Sequence, residues 1–188
     1  MLLASDESLD RNKSLASGKY VTAAGVGFNT SRPPCKVAGE SVSVIKGVRL
    51  KVGSVNVGSM QGKSEEIAEM ACRRKLDICC LQETYWKGGG AKTIGYDDCW
   101  YKFFWVGCEE GVSGVGILVA EKWINHVVEV RRVNERVMVL RLAIGRSVFN
   151  IVSVYAPQTG RIREEKEEFY IVLGNVLKNI GENERLIV

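Results

Sequence analysis

Only one histidine, His126, occurs in the 188 residues, which excludes a zinc site built from several imidazoles. The six cysteines, at positions 35, 72, 79, 80, 99 and 108, include no C-x-x-C pair, so the other common zinc solution is missing too. Any metal bound here is expected to be a hard cation on oxygen ligands. No apolar run approaches the ~18 residues of a membrane span. The opening Met1-Leu2-Leu3-Ala4 has no basic flank and meets Asp6 and Glu7 at once, unlike a signal peptide. The expectation is an intracellular protein, nuclear or cytoplasmic, with its cysteines serving as small core residues in a reduced compartment.

What is present is ordinary for one globular domain: 46% hydrophobic and 26% charged residues, with a net charge of +4 and a pI near 8.7. That charge permits a polyanionic partner without arguing for one. Residues 1–46 are rich in Ser, Gly and Ala, carry Pro33-Pro34 and have no helical or strand period, and are read as a mostly disordered leader; a basic arm through Arg32, Lys36 and Lys46 is the alternative. A domain is expected over 47–188.

The stretch Leu76-Asp77-Ile78-Cys79-Cys80-Leu81-Gln82-Glu83-Thr84 organises that domain. Ile78 to Leu81 form a short apolar run with no solvent alternation, which predicts a strand buried on both faces. It delivers Glu83 to a sheet edge, where open α/β sheets place their sites. Taken alone, Glu83 reads equally well as a solvated loop acid. Upstream, Val48, Leu50, Val52, Val55 and Val57 predict a strand ending at Asn56. Between the two, Ser64 followed by Glu65 and Glu66, the apolar positions Ile67, Met70 and Ala71, and the closing Arg73, Arg74 and Lys75 predict a helix over 64–75. Such a βαβ unit brings Asn56 and Glu83 to the same edge. A carboxylate beside an amide oxygen suits Mg²⁺ with retained waters.

Lys87-Gly88-Gly89-Gly90 reads as a flexible loop. Strands follow at 100–106, 116–120, 127–130, 137–143 and 148–155, with hairpins between several of them. Gly111 to Gly116 matches neither a nucleophile elbow nor a dinucleotide loop, and is read as a turn leading into a strand. Tyr155 ends its strand as Asn56 and Glu83 end theirs, with Pro157 stopping the ladder; a packing role for the ring is the alternative. An apolar stripe from Ile162 to Ile180 predicts a second core-facing helix, and Arg185 to Val188 begins another strand.

Three motifs now stand in order: Ser54-Val55-Asn56-Val57, Leu81-Gln82-Glu83-Thr84 and Tyr155-Ala156-Pro157. From Val48 to Val188 the sequence resembles the endonuclease/exonuclease/phosphatase family of divalent-metal phosphodiesterases. The runs from Val115 to Trp123 and Val154 to Gln158 are similar to the apurinic-type endonuclease of non-LTR retrotransposons and to craniofacial development protein 2-like proteins. The resemblance implies an α/β fold, a four-layer αββα sandwich with mixed sheets, here expected in truncated form. It further implies Mg²⁺ or Mn²⁺, with DNA as the ancestral substrate. Carried over, Glu83 is the metal-binding carboxylate, Asn56 helps hold the metal, Tyr155 contacts the scissile phosphate, and Gln158 and Arg161 contact the DNA strand. The family's Gly-Asp-x-Asn and Ser-Asp-His motifs have no counterpart in the sequence, and His126, among valines, stands in no matching motif. The expectation is therefore a retroelement-type endonuclease fragment with impaired or no activity. The alternatives are a non-catalytic nucleic-acid-binding or interaction remnant, and a phosphatase on a small phosphoester.

Overall fold

The computed structural model describes residues 20–21, 36–45 and 48–188, with side chains from Arg49 onward. Its strands are β1 (Tyr20–Val21), β2 (Lys36–Ile45), β3 (Val48–Asn56), β4 (Ile78–Gln82), β5 (Gly89–Tyr96), β6 (Cys99–Val106), β7 (Val115–Ala120), β8 (Val127–Asn134), β9 (Val137–Ile144), β10 (Ser147–Val154) and β11 (Arg185–Ile187). Its helices are α1 (Ser64–Arg73), α2 (Glu121–Ile124) and α3 (Arg163–Lys178). Two mixed sheets result, one ordered β2-β3-β4-β7-β6-β5 and the other β1-β11-β10-β9-β8.

The two-residue period of each strand sorts its side chains between layers. On β4, Cys79 and Leu81 join Ile67, Ala68 and Ala71 of α1, while Ile78 and Cys80 face Met138, Leu140, Phe149 and Ile151 of the other sheet. On that second sheet, Val137, Val139 and Val152 turn outward to meet Phe169 and Val176 of α3. Helix, sheet, sheet and helix therefore stack in four layers, which is the αββα sandwich the resemblance implies. Both parallel crossovers, β3-α1-β4 and β10-α3-β11, carry one of the covering helices.

Helix α1 ends by a specific mechanism. The Leu76 amide donates to the Ala71 carbonyl and the Lys75 amide to the Cys72 carbonyl, with Lys75 at φ 52°. This is a Schellman stop in which a lysine holds the left-handed position that usually falls to glycine. The turn feeds straight into Asp77, whose buried carboxylate accepts from the Lys51 amide (2.7 Å) and the Trp123 indole (2.9 Å) and pairs with Lys122. Asp77 thus fixes the end of β4 remote from Glu83.

Two expectations are corrected. The glycines 89 and 90 open strand β5 rather than a flexible loop, because Gly90 and Gly95 lie opposite Trp105 and Trp100 on β6 and leave room for the indoles, which a Cβ at either position would strike. Cys72 and Cys99 form a disulfide between α1 and β6, with Cα atoms 5.9 Å apart, so the cysteines are not all reduced core residues. Cys80 does behave as a core thiol, its pKa pushed up to about 12 by burial against a smaller opposing effect of the Ser153 hydrogen bond. Within the stretch 1–46, β1 pairs with β11 and β2 pairs antiparallel with β3 along its length. The rest of that stretch lies outside the described residues.

Gly116, on the doubly buried strand β7, is packed so closely that a Cβ would strike the Phe103 ring and come within 2.9 Å of the Phe104 carbonyl. Gly116→Ala is expected to cost about 2 kcal/mol by overpacking. The check is the midpoint of urea unfolding, which should fall with an unchanged slope.

Candidate active site

Strands β3 and β4 run parallel with Asn56 opposite Gln82, which puts Asn56 and Glu83 at one edge. Beyond that edge the chain is held by backbone bonds, with Val57 donating to Gln82, Met60 to Thr84, and Thr84 to Gly114. Tyr155 arrives from the other sheet, one residue past β10. Ser153 Oγ, between the layers, lies 3.5 Å from the Leu81 carbonyl that it can reach as donor. The site is therefore assembled across the sandwich.

Its centre is the Glu83 carboxylate. Asn56 Nδ2 donates to Oε1 at 2.7 Å, the Tyr155 hydroxyl donates to the same oxygen at 3.0 Å, and the Tyr85 hydroxyl donates to Oε2 at 3.1 Å. Partial burial alone would raise the Glu83 pKa, but the bonds from Asn56, Tyr155 and Tyr85 outweigh it and hold the carboxyl below its ordinary value. The two phenols are pushed the opposite way, by burial first and then by their bonds to the carboxylate. Both therefore act as donors and stay protonated at neutral pH.

The backbone is unusual at this point. Glu83 and Tyr85 have φ of 57° and 55°, in the left-handed region that disfavours side chains. Each position costs on the order of 1–2 kcal/mol, compensated by the surrounding bonds. The result is that Tyr85, two residues on, turns its hydroxyl back onto the Glu83 carboxylate.

Asn56 Oδ1 accepts from the Gly58 amide at 3.0 Å, so its amide group positions Glu83 and is itself fixed. Gln158 Nε2 stands 3.4 Å from the Tyr155 hydroxyl, and exposed Arg161 lies 3.9 Å from Glu165. Tyr155, Gln158, Arg161, Arg136 and Cys108 line a cavity of about 220 Å³ on one side of Glu83. The Cys108 thiol is lifted by burial but lowered further by bonds from Ser113 and from the amides of residues 111–113. His126 is elsewhere, edge-on to Trp123 at 5.3 Å.

Two participants escape sequence reasoning. Tyr85 has a faint signal, two residues past the motif carboxylate. Arg136 has none: it sits in the β8–β9 turn, 5.4 Å from the Tyr155 ring centre, and bonds the Tyr155 carbonyl and Glu165. The register of the β9–β10 hairpin, with Val137 opposite Val154, brings it there, and the Tyr155 amide donates to the Arg136 carbonyl at 2.8 Å.

With this geometry in view, likeness to known structures becomes informative. An AP endonuclease from Leishmania major superposes with a TM-score of 0.55 at 14% identity, covering 73% of this chain and 53% of that one. The catalytic domain of APE2 from Xenopus laevis gives 0.50 at 15% identity, covering 69% and 55%. The chain has the endonuclease/exonuclease/phosphatase fold. It spans about half the length of these two structures. The endonuclease domain of the non-LTR retrotransposon TRAS1 is similar at a TM-score of 0.49 and 19% identity, covering 73% of this chain and 57% of that one. No family model and no curated protein matches the chain.

Could this arrangement hold a divalent cation? Among the described residues, no group of three His, Cys, Asp or Glu side chains converges on one point. Glu83 nevertheless fits a hard cation that keeps most of its waters: it is ionised, and Oε2 accepts only one of the three hydrogen bonds, leaving a lone pair.

Removing one donor tests the network. Tyr155→Phe is expected to raise the Glu83 pKa, because an opposing hydrogen bond is lost while the burial remains. A carboxyl-carbon NMR titration reads this, and an unmoved midpoint would mean that the phenol does not hold the carboxylate. Because the folded pKa lies below the unfolded one, Glu83 stabilises the fold above its unfolded pKa, and that contribution fades as pH falls through the folded value.

Proposed function

We propose that this chain carries a divalent-cation site for phosphodiester chemistry on DNA, that of a retroelement-type endonuclease, centred on Glu83. The observation that carries the reading is the convergence of donors from both sheets on one ionised carboxylate. The fold shared with an AP endonuclease from Leishmania major supports it.

In this reading Glu83 would hold Mg²⁺ or Mn²⁺, and Asn56 holds Glu83 in place. A cation bound there would neutralise charge on phosphoryl oxygens and acidify a coordinated water. The Tyr155 hydroxyl, raised in pKa and backed by Gln158, can turn from the carboxylate to a phosphate oxygen, donating a hydrogen bond without adding negative charge. Gln158 and Arg161, both exposed, extend that donor row along the strand.

A second reading, non-catalytic DNA binding, is favoured by one fact: three protein donors already satisfy much of the Glu83 carboxylate.

Nicking of supercoiled plasmid with Mg²⁺ or Mn²⁺ separates the two. The endonuclease reading expects open circles that vanish with EDTA and fall on the order of 100-fold in Glu83→Ala. Equal nicking by Glu83→Ala would overturn it. The binding reading expects no cleavage under either metal, with DNA retention that weakens steeply as salt rises.

A further inference from the structure

The other side of Glu83 is differently built from the Tyr155 side. Tyr85, whose hydroxyl bonds the carboxylate, also lines an open groove of about 380 Å³ with Gln61, Trp86, Lys87 and Trp105. Trp86 and Trp105 meet edge to face at 4.9 Å, and Phe103 stacks behind Trp105 at 5.5 Å. Both indoles are only half-buried. We infer that this groove is a nucleobase platform, on which a base of a locally unpaired DNA strand stacks while a neighbouring phosphate of that strand lies at Glu83. The inference rests on reading Glu83 as the phosphodiester site.

Rigidity is the first argument, since a stacking surface costs least when it is already ordered. The Trp105 indole N–H donates to the Lys87 carbonyl at 3.3 Å. Arg132 donates to the Trp105 and Gly90 carbonyls at 3.0 and 2.8 Å, clamping the β5–β6 pair from behind. Gly90 lies against the indole of Trp105, where any side chain would displace it. The left-handed backbone at Tyr85 holds its hydroxyl on Glu83 while its side chain lines the groove.

Charge is the second. No carboxylate lines the groove, Lys87 forms part of its wall, and Lys92 Nζ stands 5.9 Å from the Trp86 ring centre. The Tyr155-side cavity, by contrast, is lined by Glu110, Glu135 and Glu165 as well as by arginines. Aromatic faces with basic flanks are what a single strand needs, because every base offers a π-face and every linkage a negative charge. The Gln61 amide adds a donor and an acceptor within reach of a base edge.

The test uses the full chain, EDTA and fluorescently labelled oligomers of equal length, read by anisotropy and by tryptophan emission. A short oligothymidylate is expected to bind and quench emission, while a base-free abasic oligomer of the same backbone binds roughly tenfold or more weakly and leaves emission unchanged, in line with a stacking contribution per base of this size. Trp86→Phe should keep affinity within about threefold and Trp86→Leu should lose roughly tenfold. Equal binding and quenching by the base-free oligomer would overturn the platform, and needs no variant to fold. So would unchanged affinity in a folded Trp86→Leu. Glu83→Gln separates this from the nuclease reading: loss of metal-dependent nicking with oligothymidylate quenching intact leaves the platform standing, and quenching absent while the wild type still nicks refutes the platform alone.

Discussion

Everything at the candidate site depends on strand β4 being buried on both faces. Ile78 and Cys80 are held by the second sheet, Cys79 and Leu81 by α1, and the strand cannot rotate or slip without exposing one set. A one-residue shift would exchange the two faces and carry Glu83 with it. Asp77 pins the far end through the Lys51 amide and the Trp123 indole. Between those constraints the carboxylate of Glu83 is delivered to a fixed place, and the unfavourable backbone there is tolerated because the strand behind it is immobile.

That fixed place lies between two surfaces of different character. Toward Tyr155 is a polar cavity with mixed charge, and toward Tyr85 an aromatic groove with lysines. One tyrosine borders each, and each donates to a different oxygen of the same carboxylate. The carboxylate is therefore bordered by two distinct environments, polar through Tyr155 and aromatic through Tyr85.

Much of this was legible in the sequence because it is written locally. The uninterrupted run from Ile78 to Leu81 signals a doubly buried strand, the acid-to-base order of α1 signals its ends, and Asn56, Glu83 and Tyr155 each follow an apolar strand directly. What escaped detection is non-local. The glycines of β5 look like loop residues until Trp100 and Trp105 are seen filling the space they leave. The bond between Cys72 and Cys99 joins a helix to a strand 27 residues on, and no spacing rule announces it. Arg136 meets Tyr155, 19 residues on, through the register of the β9–β10 hairpin.

Because Asn56 comes from one sheet and Tyr155 from the other, the hydrogen bonds that hold Glu83 below its ordinary pKa are drawn from both layers of the sandwich. The one carboxylate thus ties the two layers together at their shared rim, in addition to the apolar core between them.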